Sequence, residues 1–401
     1  MIERKEYLKT LQRWRDRDVI KVIAGIRRCG KSTMLEIYQD YLRADGVEAS
    51  QIIAINLEDY ANAAFREPKA LHDYIVENAP KGRKHYVFLD EIQNVNNFQP
   101  MIDSLFLRKH LDIYITGSNA YMLSGELATF LSGRYIAIEM LPLSFAEYVD
   151  WSGGQNNLNG KYRDYLQTSS FPYVTELKGD EKAIDEYLEG IYSTVVLKDV
   201  LGRLKSAEPM MLESILRFVI GNIGNLLSTK KIADTMTSAG RKIDVRTVEK
   251  YMKAFLDSYI IYQAKRFDIK GKQHLKTLEK YYIVDTGLRY ALLGRRDFDV
   301  GHVLENIVFL ELLRRGYDVY VGQAGDTEID FVAVNQNETS YYQVAASVRD
   351  TETLERELRP LRKIRDNYPK TILTLDDDPD ADYSGIARTN ALNWLIGNDR
   401  K

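Results

Sequence analysis

The sequence predicts an α/β fold built around a phosphate-binding loop, and three observations support this prediction. Residues 25–33 read Gly-Ile-Arg-Arg-Cys-Gly-Lys-Ser-Thr, which completes the pattern G-x-x-x-x-G-K-[ST]. The apolar run 18–24 before the loop is typical of a buried strand, and residues 34–42 after it have helical spacing of apolar side chains. Strand-like runs then alternate with helical patterns to about residue 150, as in a parallel sheet with helices on both faces.

The residue types in the loop are those that phosphate binding requires. Gly25 and Gly30 allow close approach of the backbone, so that amide N–H groups and the N-terminus of the next helix can surround phosphates. Lys31 is expected to reach the β- and γ-phosphates of ATP, and the hydroxyl of Ser32 to coordinate Mg²⁺. A Gly-rich turn that binds nothing is the alternative interpretation, which the flanking strand and helix disfavour. The predicted nucleotide-binding residues are Gly25, Ile26, Arg27, Arg28, Cys29, Gly30, Lys31, Ser32 and Thr33.

Two further strand-like runs end in polar residues suited to the same chemistry. Residues 84–91 end in adjacent carboxylates, of which Asp90 is expected to orient the Mg²⁺ shell and Glu91 to polarise the attacking water. Residues 111–119 end in Ser118 and Asn119, where a sensor of the γ-phosphate or of the attacking water would lie. A solvated acidic turn is the other interpretation of Asp90 and Glu91, and the phosphate loop makes it the weaker one.

Arg134 closes the turn Leu131-Ser-Gly-Arg134, directly before the apolar run 135–141. A guanidinium at this point can act as an arginine finger on the nucleotide of a neighbouring subunit, because it stabilises the charge of the transferring phosphoryl group. A surface arginine in a turn is an equally good interpretation, and the sequence leaves the two open.

Composition indicates an ordinary soluble protein and predicts a cytoplasmic location. The chain has 401 residues, 45% hydrophobic and 28% charged, with a net charge of −3, and is long enough for two or three domains. No apolar run is long enough to span a bilayer, and the first residues lack the apolar segment of a secretory signal, so no membrane partner is expected. The single cysteine, Cys29, excludes an intrachain disulfide, and five histidines without metal-ligand spacing predict no zinc site.

The pattern along the chain predicts four segments. A phosphate-loop ATPase core occupies 1–150, and a helical lid occupies 151–208 after the turn-rich break at 152–160. A winged-helix domain is expected at 209–283, and an α/β endonuclease-like domain at 284–401.

The third segment has the order helix, turn, helix, hairpin, which is typical of a winged helix. Residues 228–282 hold 13 Lys and Arg against 6 Asp and Glu, a local balance of +7 in a chain that is acidic overall. Concentrated positive charge favours binding to a phosphate backbone. The alternative is that these helices and the hairpin only connect domains, and that their lysines are solvated and bind no nucleic acid. The residues expected to contact DNA are Arg246, Lys250, Lys253, Lys265, Arg266, Lys270 and Lys272.

The last segment has the element order of a restriction-endonuclease-like core, with Glu305 on a helix, Asp330 on a strand and a third strand at 340–346. Metal-assisted cleavage in such a core needs the pattern D…[DE]-x-K. The third strand reads Gln343-Val-Ala345, so both the acidic ligand and the lysine of the pattern are replaced. The sequence therefore predicts a domain that keeps the scaffold without the cleavage chemistry.

Together these motifs resemble those of prokaryotic AAA+-type ATPases that carry a C-terminal domain of unknown function with an endonuclease-like fold. The resemblance covers nearly the whole chain and rests on residues 25–32, 88–91, 116–119, 132–134 with 141–145, and 328–331. It implies ATP binding with Mg²⁺, assembly into rings or other homo-oligomers, a hexameric ring among them, and association with nucleic acid.

The function expected from the sequence is an ATP-hydrolysing, DNA-associated motor or remodeller, stimulated by DNA and acting on branched DNA such as Holliday junctions. A nucleotide-dependent signalling switch or protein-interaction ATPase is the alternative, and an active nuclease is the least favoured. Salt-dependent DNA binding separates the first two, because a protein that binds the phosphate backbone loses affinity steeply as ionic strength rises.

Overall fold

The computed structural model describes residues 2–398 except 119–132, 178, 203, 205–206, 270, 272, 295–299 and 337. The chain forms two compact units, one of residues 1–142 with 257–259, and the other of residues 143–256 with 260–401. The sequence placed the first boundary at residue 150, but the helix Phe145–Trp151 lies in the second unit.

A five-stranded parallel sheet forms the centre of the first unit, with the strand order β2-β3-β4-β1-β5. The first, third and fourth strands are buried along their whole length, as their continuous apolar sequences predict for a sheet covered on both faces. The strands are β1 Ile20–Ala24, β2 Ile52–Asn56, β3 His85–Asp90, β4 Leu111–Gly117 and β5 Tyr135–Glu139, and the helices are α1 Lys5–Trp14, α2 Lys31–Ala44, α3 Pro68–Asn78 and α4 Phe98–Phe106.

The strand order decides where a ligand can bind in this unit. Strand β4 lies on one side of β1 and strand β5 on the other, so the direction in which the chain builds the sheet changes at β1. In open α/β sheets a crevice forms at such a point, outside the carboxyl ends of the strands. The segments that follow β1, β3 and β4 all begin at this edge, and short 3₁₀ helices at Ala49–Gln51, Tyr60–Arg66 and Ile92–Asn94 complete the connections.

The second unit begins with helices and continues into the predicted helix–hairpin segment. The helices are α5 Phe145–Trp151, α6 Leu158–Thr168, α7 Glu181–Thr194, α8 Pro209–Gly221, α9 Thr229–Ser238, α10 Val245–Asp257, α11 Thr286–Leu293, α12 Val300–Arg314, α13 Thr351–Arg362 and α14 Ala391–Leu395, with a 3₁₀ helix at Pro172–Leu177 and a π-helix at Val195–Leu201. Helices α8, α9 and α10 precede a β-hairpin, which is the order that the sequence predicts.

The hairpin departs from the predicted domain organisation, because it belongs to the sheet of the C-terminal segment. That sheet has eight strands in the order β12-β13-β11-β10-β9-β8-β6-β7, and β6 pairs in parallel with β8. Pairing satisfies backbone groups that a free wing would leave exposed at its edge. The strands are β6 Ile261–Asp268, β7 Gln273–Ile283, β8 Asp318–Ala324, β9 Thr327–Val334, β10 Thr339–Ala345, β11 Lys370–Thr374, β12 Ala381–Asp382 and β13 Ile386–Asn390.

Candidate nucleotide site and a second polar pocket

The phosphate loop joins β1 to α2 in a conformation that its glycines permit. A Cβ atom at Gly25 would lie 2.1 Å from the carbonyl oxygen of Met140, so no larger residue fits there without moving the backbone. Gly30 has φ of 102° and is the residue before the first turn of α2, while Arg28 also adopts a left-handed conformation at φ 66°. The loop therefore turns sharply and directs the N-terminus of α2 toward the crevice edge of the sheet.

Lys31 is folded onto the loop that precedes it. Its buried ammonium donates to the carbonyl oxygens of Gly25 at 3.0 Å and Ile26 at 3.1 Å, and lies 3.9 Å from Glu91 Oε1. Among the other loop residues, Cys29 is buried, and burial raises the pKa of its thiol. Ser32 and Thr33 are exposed at the start of α2, and Arg27 Nη1 lies 3.8 Å from Glu58 Oε1.

Asp90 and Glu91 meet the loop from the end of β3, with Thr116 of β4 between them. The Thr116 hydroxyl donates to Asp90 and accepts from the backbone N–H of Glu91 at 2.9 Å. Burial raises the pKa of Asp90, and hydrogen bonds from Thr116 and Ser32 oppose that shift. The contact between Ser32 and Asp90 brings together the two residues that the sequence predicts around Mg²⁺.

The carboxylate of Glu91 is held by two side-chain donors. Ser118 Oγ donates to Glu91 Oε2 at 3.0 Å, and Gln93 Nε2 donates to the same oxygen. Glu91 itself has φ of 54°, a left-handed conformation that is uncommon for a residue with a side chain and that concentrates at functional sites. Asn119, the other predicted sensor, lies outside the described residues.

A buried arginine near the start of the chain braces the loop. Arg4 Nη1 donates to the carbonyl oxygen of Cys29 at 3.1 Å, and Arg4 Nη2 donates to that of Leu141 at 2.8 Å and that of Pro142 at 3.3 Å. The guanidinium thus connects the phosphate loop to the segment after β5. This role of Arg4 could not be predicted, because nothing near Arg4 in the sequence indicates that it is buried.

Arg134 lies at the opposite edge of the sheet from the loop of its own chain. Its carbonyl oxygen accepts from the N–H of Ile20 at 2.8 Å, at the amino end of β1, whereas the phosphate loop follows the carboxyl end. Five residues of strand separate the two by about 15 Å. The guanidinium pairs with Asp103 of α4 and lies over the ring of Phe106. Arg134 is therefore distant from the candidate nucleotide site of its own chain.

The residues around the loop fit a nucleoside triphosphate with Mg²⁺. The αL turn at Gly30 and the helix N-terminus offer backbone N–H groups to phosphate oxygens. Lys31 supplies an ammonium whose present partners are carbonyl oxygens, and the pair Ser32 and Asp90 supplies the hydroxyl and carboxylate oxygens that Mg²⁺ prefers.

The predicted DNA contacts fall into two groups. On α10, Arg246, Lys250 and Lys253 are exposed with helical spacing on one side, whereas Val248 and Phe255 are buried on the other. On β6, Lys265 is exposed, and Arg266 Nη2 donates to Gln323 Oε1 at 2.5 Å. Lys270 and Lys272 lie outside the described residues.

The second unit contains a cluster of charged side chains that the sequence did not predict. Lys280 of β7 is buried, and its ammonium lies 2.8 Å from Glu305 Oε1, 2.8 Å from Glu328 Oε1 and 3.4 Å from Asp330 Oδ1. The sequence predicts that Glu305 and Asp330 have no lysine beside them. That prediction is wrong, because the hairpin carrying Lys280 pairs into the same sheet as β9.

Gln343 is embedded in the same cluster. Its Oε1 accepts from the backbone N–H of Asp330 at 2.8 Å, and its Nε2 donates to Glu357 Oε2 of α13 at 2.8 Å. A further carboxylate therefore stands beside the glutamine of the third strand. Ala345 follows two residues later and lines the cavity next to the cluster.

The electrostatics of the cluster reflect burial and mutual pairing. Burial raises the pKa of Glu305 to about 7, while Lys280 and the Tyr282 hydroxyl, 2.6 Å from Glu305 Oε1, oppose the shift. Burial alone would lower the pKa of Lys280, but the combined field of Glu305, Asp330 and Glu328 raises it above its usual value. Lys280 is therefore charged at neutral pH.

Two features are absent from the residues that the structure describes. In the part of the chain that the structure describes, no helix is long and apolar enough to cross a membrane. Within the same residues, no group of three or more His, Cys, Asp or Glu side chains is arranged to hold a metal ion.

Comparisons with known proteins match two segments of this chain to known families and find proteins similar to it. Residues 17–149 match the family model of an AAA domain, and residues 159–299 match a domain of unknown function, DUF8612. An uncharacterized protein of Haemophilus influenzae is 38% identical over 400 residues, 99% of each chain, and the uncharacterized protein MJ1544 of Methanocaldococcus jannaschii is 30% identical over 390 residues, 90% of this chain and 82% of the relative. The Walker-type ATPase PABY2304 of Pyrococcus abyssi has a similar fold, with 17% identity and a TM-score of 0.50 over 73% of this chain and 96% of that one.

The parallel sheet, the loop after β1 and the match to an AAA domain together define a P-loop ATPase of the AAA type. The chain belongs to the same family as the H. influenzae and M. jannaschii proteins. The predicted α/β class and the AAA-type ATPase resemblance are thereby confirmed. The matched domain of unknown function ends at residue 299, before the segment on which the endonuclease resemblance rests, so that resemblance stays a prediction.

Proposed function

We propose that the protein hydrolyses ATP at the loop of the first unit and that DNA stimulates this activity. The observation that supports hydrolysis is the convergence of Lys31, Asp90 and Glu91 at the carboxyl edge of one sheet, with Glu91 held by Ser118 and Gln93. An ammonium, a carboxylate for Mg²⁺ and a positioned carboxylate for water are the parts that phosphoryl transfer to water requires.

Each residue has a defined task in this proposal. Lys31 exchanges its carbonyl partners for the β- and γ-phosphates and stabilises the negative charge on the transferring group. Glu91 accepts a hydrogen bond from the attacking water and orients it in line with the γ-phosphate. Ser32 and Asp90 would hold Mg²⁺, which would neutralise part of the negative charge of the phosphates. Thr116 keeps the two carboxylates in their relative positions.

The proposal that DNA is the stimulating partner is supported by helix α10. Its Arg246, Lys250 and Lys253 form an exposed basic face, and none of the three is in an ion pair with a described residue. Basic side chains without carboxylate partners can neutralise phosphates and release counterions without first breaking an ion pair. The proposal also includes an endonuclease-like fold for the last segment and assembly into a ring. Both are supported by the resemblance of the sequence motifs to AAA+-type ATPases with such a C-terminal domain.

The test measures ATP hydrolysis with single-stranded, duplex and four-way junction DNA of matched length at several salt concentrations. We expect stimulation by at least one of these forms, greatest with the junction. The variant Arg246→Ala, Lys250→Ala, Lys253→Ala should lower DNA affinity and reduce the salt slope by up to about three.

A triple variant of exposed lysines provides the matched control. Lys9, Lys69 and Lys182 lie on other helices, each paired with a carboxylate three or four residues away, and their replacement by alanine should leave the salt slope unchanged. ATP hydrolysis that no DNA form alters, together with no salt-dependent binding, would contradict the DNA part and favour a protein-interaction switch. Absence of hydrolysis under all conditions would contradict the enzymatic part.

A further inference from the structure

The 3₁₀ turn Ile92–Asn94 follows Glu91 directly and is anchored in the core of the first unit. Ile92 and Val95 are buried in that core, and the backbone N–H of Asn94 donates to the carbonyl oxygen of Glu91 at 3.1 Å. Gln93, the middle residue of the turn, is therefore held in place relative to Glu91. A side chain on such a short, anchored segment is suited to positioning a reacting group.

The hydrogen bonds of Gln93 determine which way its amide faces. Its Nε2 donates to Glu91 Oε2 and also to Ser118 Oγ at 3.3 Å. Ser118 Oγ uses its own hydrogen to donate to Glu91 Oε2 at 3.0 Å, so it can only accept from Gln93. The reverse orientation would place Gln93 Oε1 against a carboxylate oxygen and a hydroxyl oxygen, neither of which has a hydrogen to offer.

The amide oxygen of Gln93 is left without a donor. Oε1 is buried, and no group among the residues that the structure describes donates a hydrogen bond to it. Burying an acceptor without a partner is unfavourable, and in a native protein such an atom indicates a water molecule or a functional role. Gln93 Oε1 is therefore available to accept a hydrogen bond from a molecule that enters the site.

The two oxygens of the Glu91 carboxylate have different surroundings. Oε2 accepts from both Ser118 and Gln93. Oε1 lies 3.9 Å from the ammonium of Lys31, the residue expected to bind the β- and γ-phosphates, and accepts no hydrogen bond from a described residue. The site thus presents two acceptors without donors, Glu91 Oε1 and Gln93 Oε1, and a water molecule has two hydrogens to donate.

We propose that Gln93 is a catalytic residue of ATP hydrolysis, whose Oε1 accepts one hydrogen of the attacking water while Glu91 Oε1 accepts the other. This inference rests on the proposed function, because it gives the same water a second contact. A water that donates to two fixed acceptors loses rotational freedom before the reaction, and its lone pair can be directed at the γ-phosphorus. A neutral amide suits this task, since it orients the water without taking its proton.

The two hydrogens of the water have different fates in this reaction. The water oxygen forms a bond to the γ-phosphorus, and the bond from that phosphorus to the bridging oxygen breaks, with its electron pair remaining on ADP. The hydrogen at Glu91 Oε1 leaves as a proton through the carboxylate to solvent. The hydrogen at Gln93 Oε1 stays on the phosphate that forms. ATP and water thus give ADP, phosphate and a proton, without a change of oxidation state.

The first experiment measures ATP binding and single-turnover hydrolysis in Gln93→Leu, which removes both amide groups from the side chain. We expect ATP affinity to stay within about twofold, since Gln93 contacts no phosphate, and the rate to fall about 10²-fold. The matched control is Asn94→Leu, which removes an exposed amide from the next position of the turn and should leave the rate unchanged. Gln93 is only partly buried, so Gln93→Leu should fold, and thermal unfolding checks this.

The outcomes of this experiment separate the inference from the proposed function. Hydrolysis by Gln93→Leu at the parent rate would overturn the role of Gln93 and leave the ATPase assignment intact. Absence of hydrolysis by the parent protein would contradict the ATPase assignment, and the inference with it.

The second experiment distinguishes contact with water from support of Glu91. Ser118→Ala removes the other donor to Glu91 Oε2 but keeps the Gln93 acceptor, so it should slow hydrolysis less than Gln93→Leu does. A crystal structure of the parent protein with ADP, aluminium fluoride and Mg²⁺ should contain a water within about 3.2 Å of both Gln93 Oε1 and Glu91 Oε1. An in-line water that contacts Glu91 but not Gln93, or an equal loss of rate in the two variants, would overturn the proposal.

Discussion

Thr116 determines how the two carboxylates of the nucleotide site are presented. It is fully buried, and its single hydroxyl bridges the Asp90 side chain and the Glu91 backbone. Glu91 has a left-handed conformation at this bridge, and such a conformation persists only where its surroundings impose it. At the scale of single residues, the site is therefore built by a threonine of one strand acting on the end of the next.

Thr116→Val should impair ATP hydrolysis without removing any group that touches nucleotide. Valine keeps the shape but leaves the Glu91 N–H and one Asp90 oxygen without a partner, at a cost of about 1–3 kcal/mol. Single-turnover hydrolysis and thermal unfolding should both change, whereas Thr116→Ser should restore both. A Thr116→Val protein with the parent's rate would show that Glu91 is held by Ser118 and Gln93 alone.

Lys31→Ala should abolish hydrolysis and weaken ATP binding. The loop loses its only ammonium directed at the phosphates, which is worth about 10²-fold or more in rate. Binding of a fluorescent ATP analogue and release of phosphate check the two effects separately. Retention of hydrolysis by this variant would contradict the assignment of the loop.

Glu91→Gln should bind ATP and hydrolyse it about 10²-fold or more slowly, because the amide keeps the shape of the carboxylate and loses its basicity. The measurement is the fraction of bound nucleotide that remains ATP after a single turnover of the parent protein. Turnover at the parent rate would mean that another group polarises the water.

Among the helices, the contact between α11 and the segment that follows α6 depends on one buried aspartate. Asp285 accepts from Ser169 Oγ at 3.0 Å, from Ser170 N at 2.7 Å and from Leu288 N at 2.6 Å, which caps α11. Burial raises the pKa of Asp285, and these hydrogen bonds oppose the shift. A Cβ atom at Gly287 would lie 2.6 Å from Ser169 Cβ. Helix α11 therefore packs so closely against Ser169 that only glycine fits at position 287.

Asp285→Ala should destabilise the second unit by about 3 kcal/mol, because several buried donors lose their acceptor together. Urea unfolding in a Trp14→Phe background reports on this unit through Trp151 and Trp394. Asp318→Ala, which removes an exposed carboxylate, should change stability by less than about 0.5 kcal/mol. Equal unfolding midpoints for the two variants would contradict the capping role.

The position of Arg134 in the first unit bears on whether the protein assembles into an oligomer. It lies at the amino edge of the sheet, away from the loop of its own chain, and pairs with Asp103. A finger acting on the same chain's nucleotide is incompatible with this position. A finger supplied to a neighbouring subunit stays a prediction, together with the oligomer that it requires.

Mixing Arg134→Ala protein with Lys31→Ala protein should restore ATP hydrolysis if the finger acts between subunits. At a shared interface one subunit then supplies an intact loop and the other an intact arginine, and a finger is worth about 10³-fold or more in rate. Asp103→Asn is the control, since it breaks the intrachain pair while leaving the guanidinium in place. No recovery on mixing, combined with a monomeric mass in the presence of ATP, would show that Arg134 only pairs with Asp103.

The arrangement of the candidate nucleotide site could be predicted from the sequence because its parts are local. Gly25, Gly30 and Lys31 lie in one loop, and Asp90 and Glu91 end one strand, so spacing within short segments fixes their chemistry. That the loop and the strand meet also followed, because parallel strands of one sheet present their carboxyl ends at a common edge. The bracing by Arg4 and the bridge by Thr116 could not be predicted, since neither residue belongs to a pattern with its partners.

Tertiary structure alone decided what surrounds Glu305 and Asp330. The sequence correctly showed that the third strand lacks an acid and a lysine, and from this it predicted a cluster without a lysine. Pairing of the hairpin with β8 brings Lys280 to both carboxylates, and α13 brings Glu357 to Gln343. Strand pairing over long separations depends on the whole sheet rather than on local pattern. The phosphate loop and its carboxylates could therefore be predicted from the sequence, whereas the second charged cluster could be found only in the folded chain.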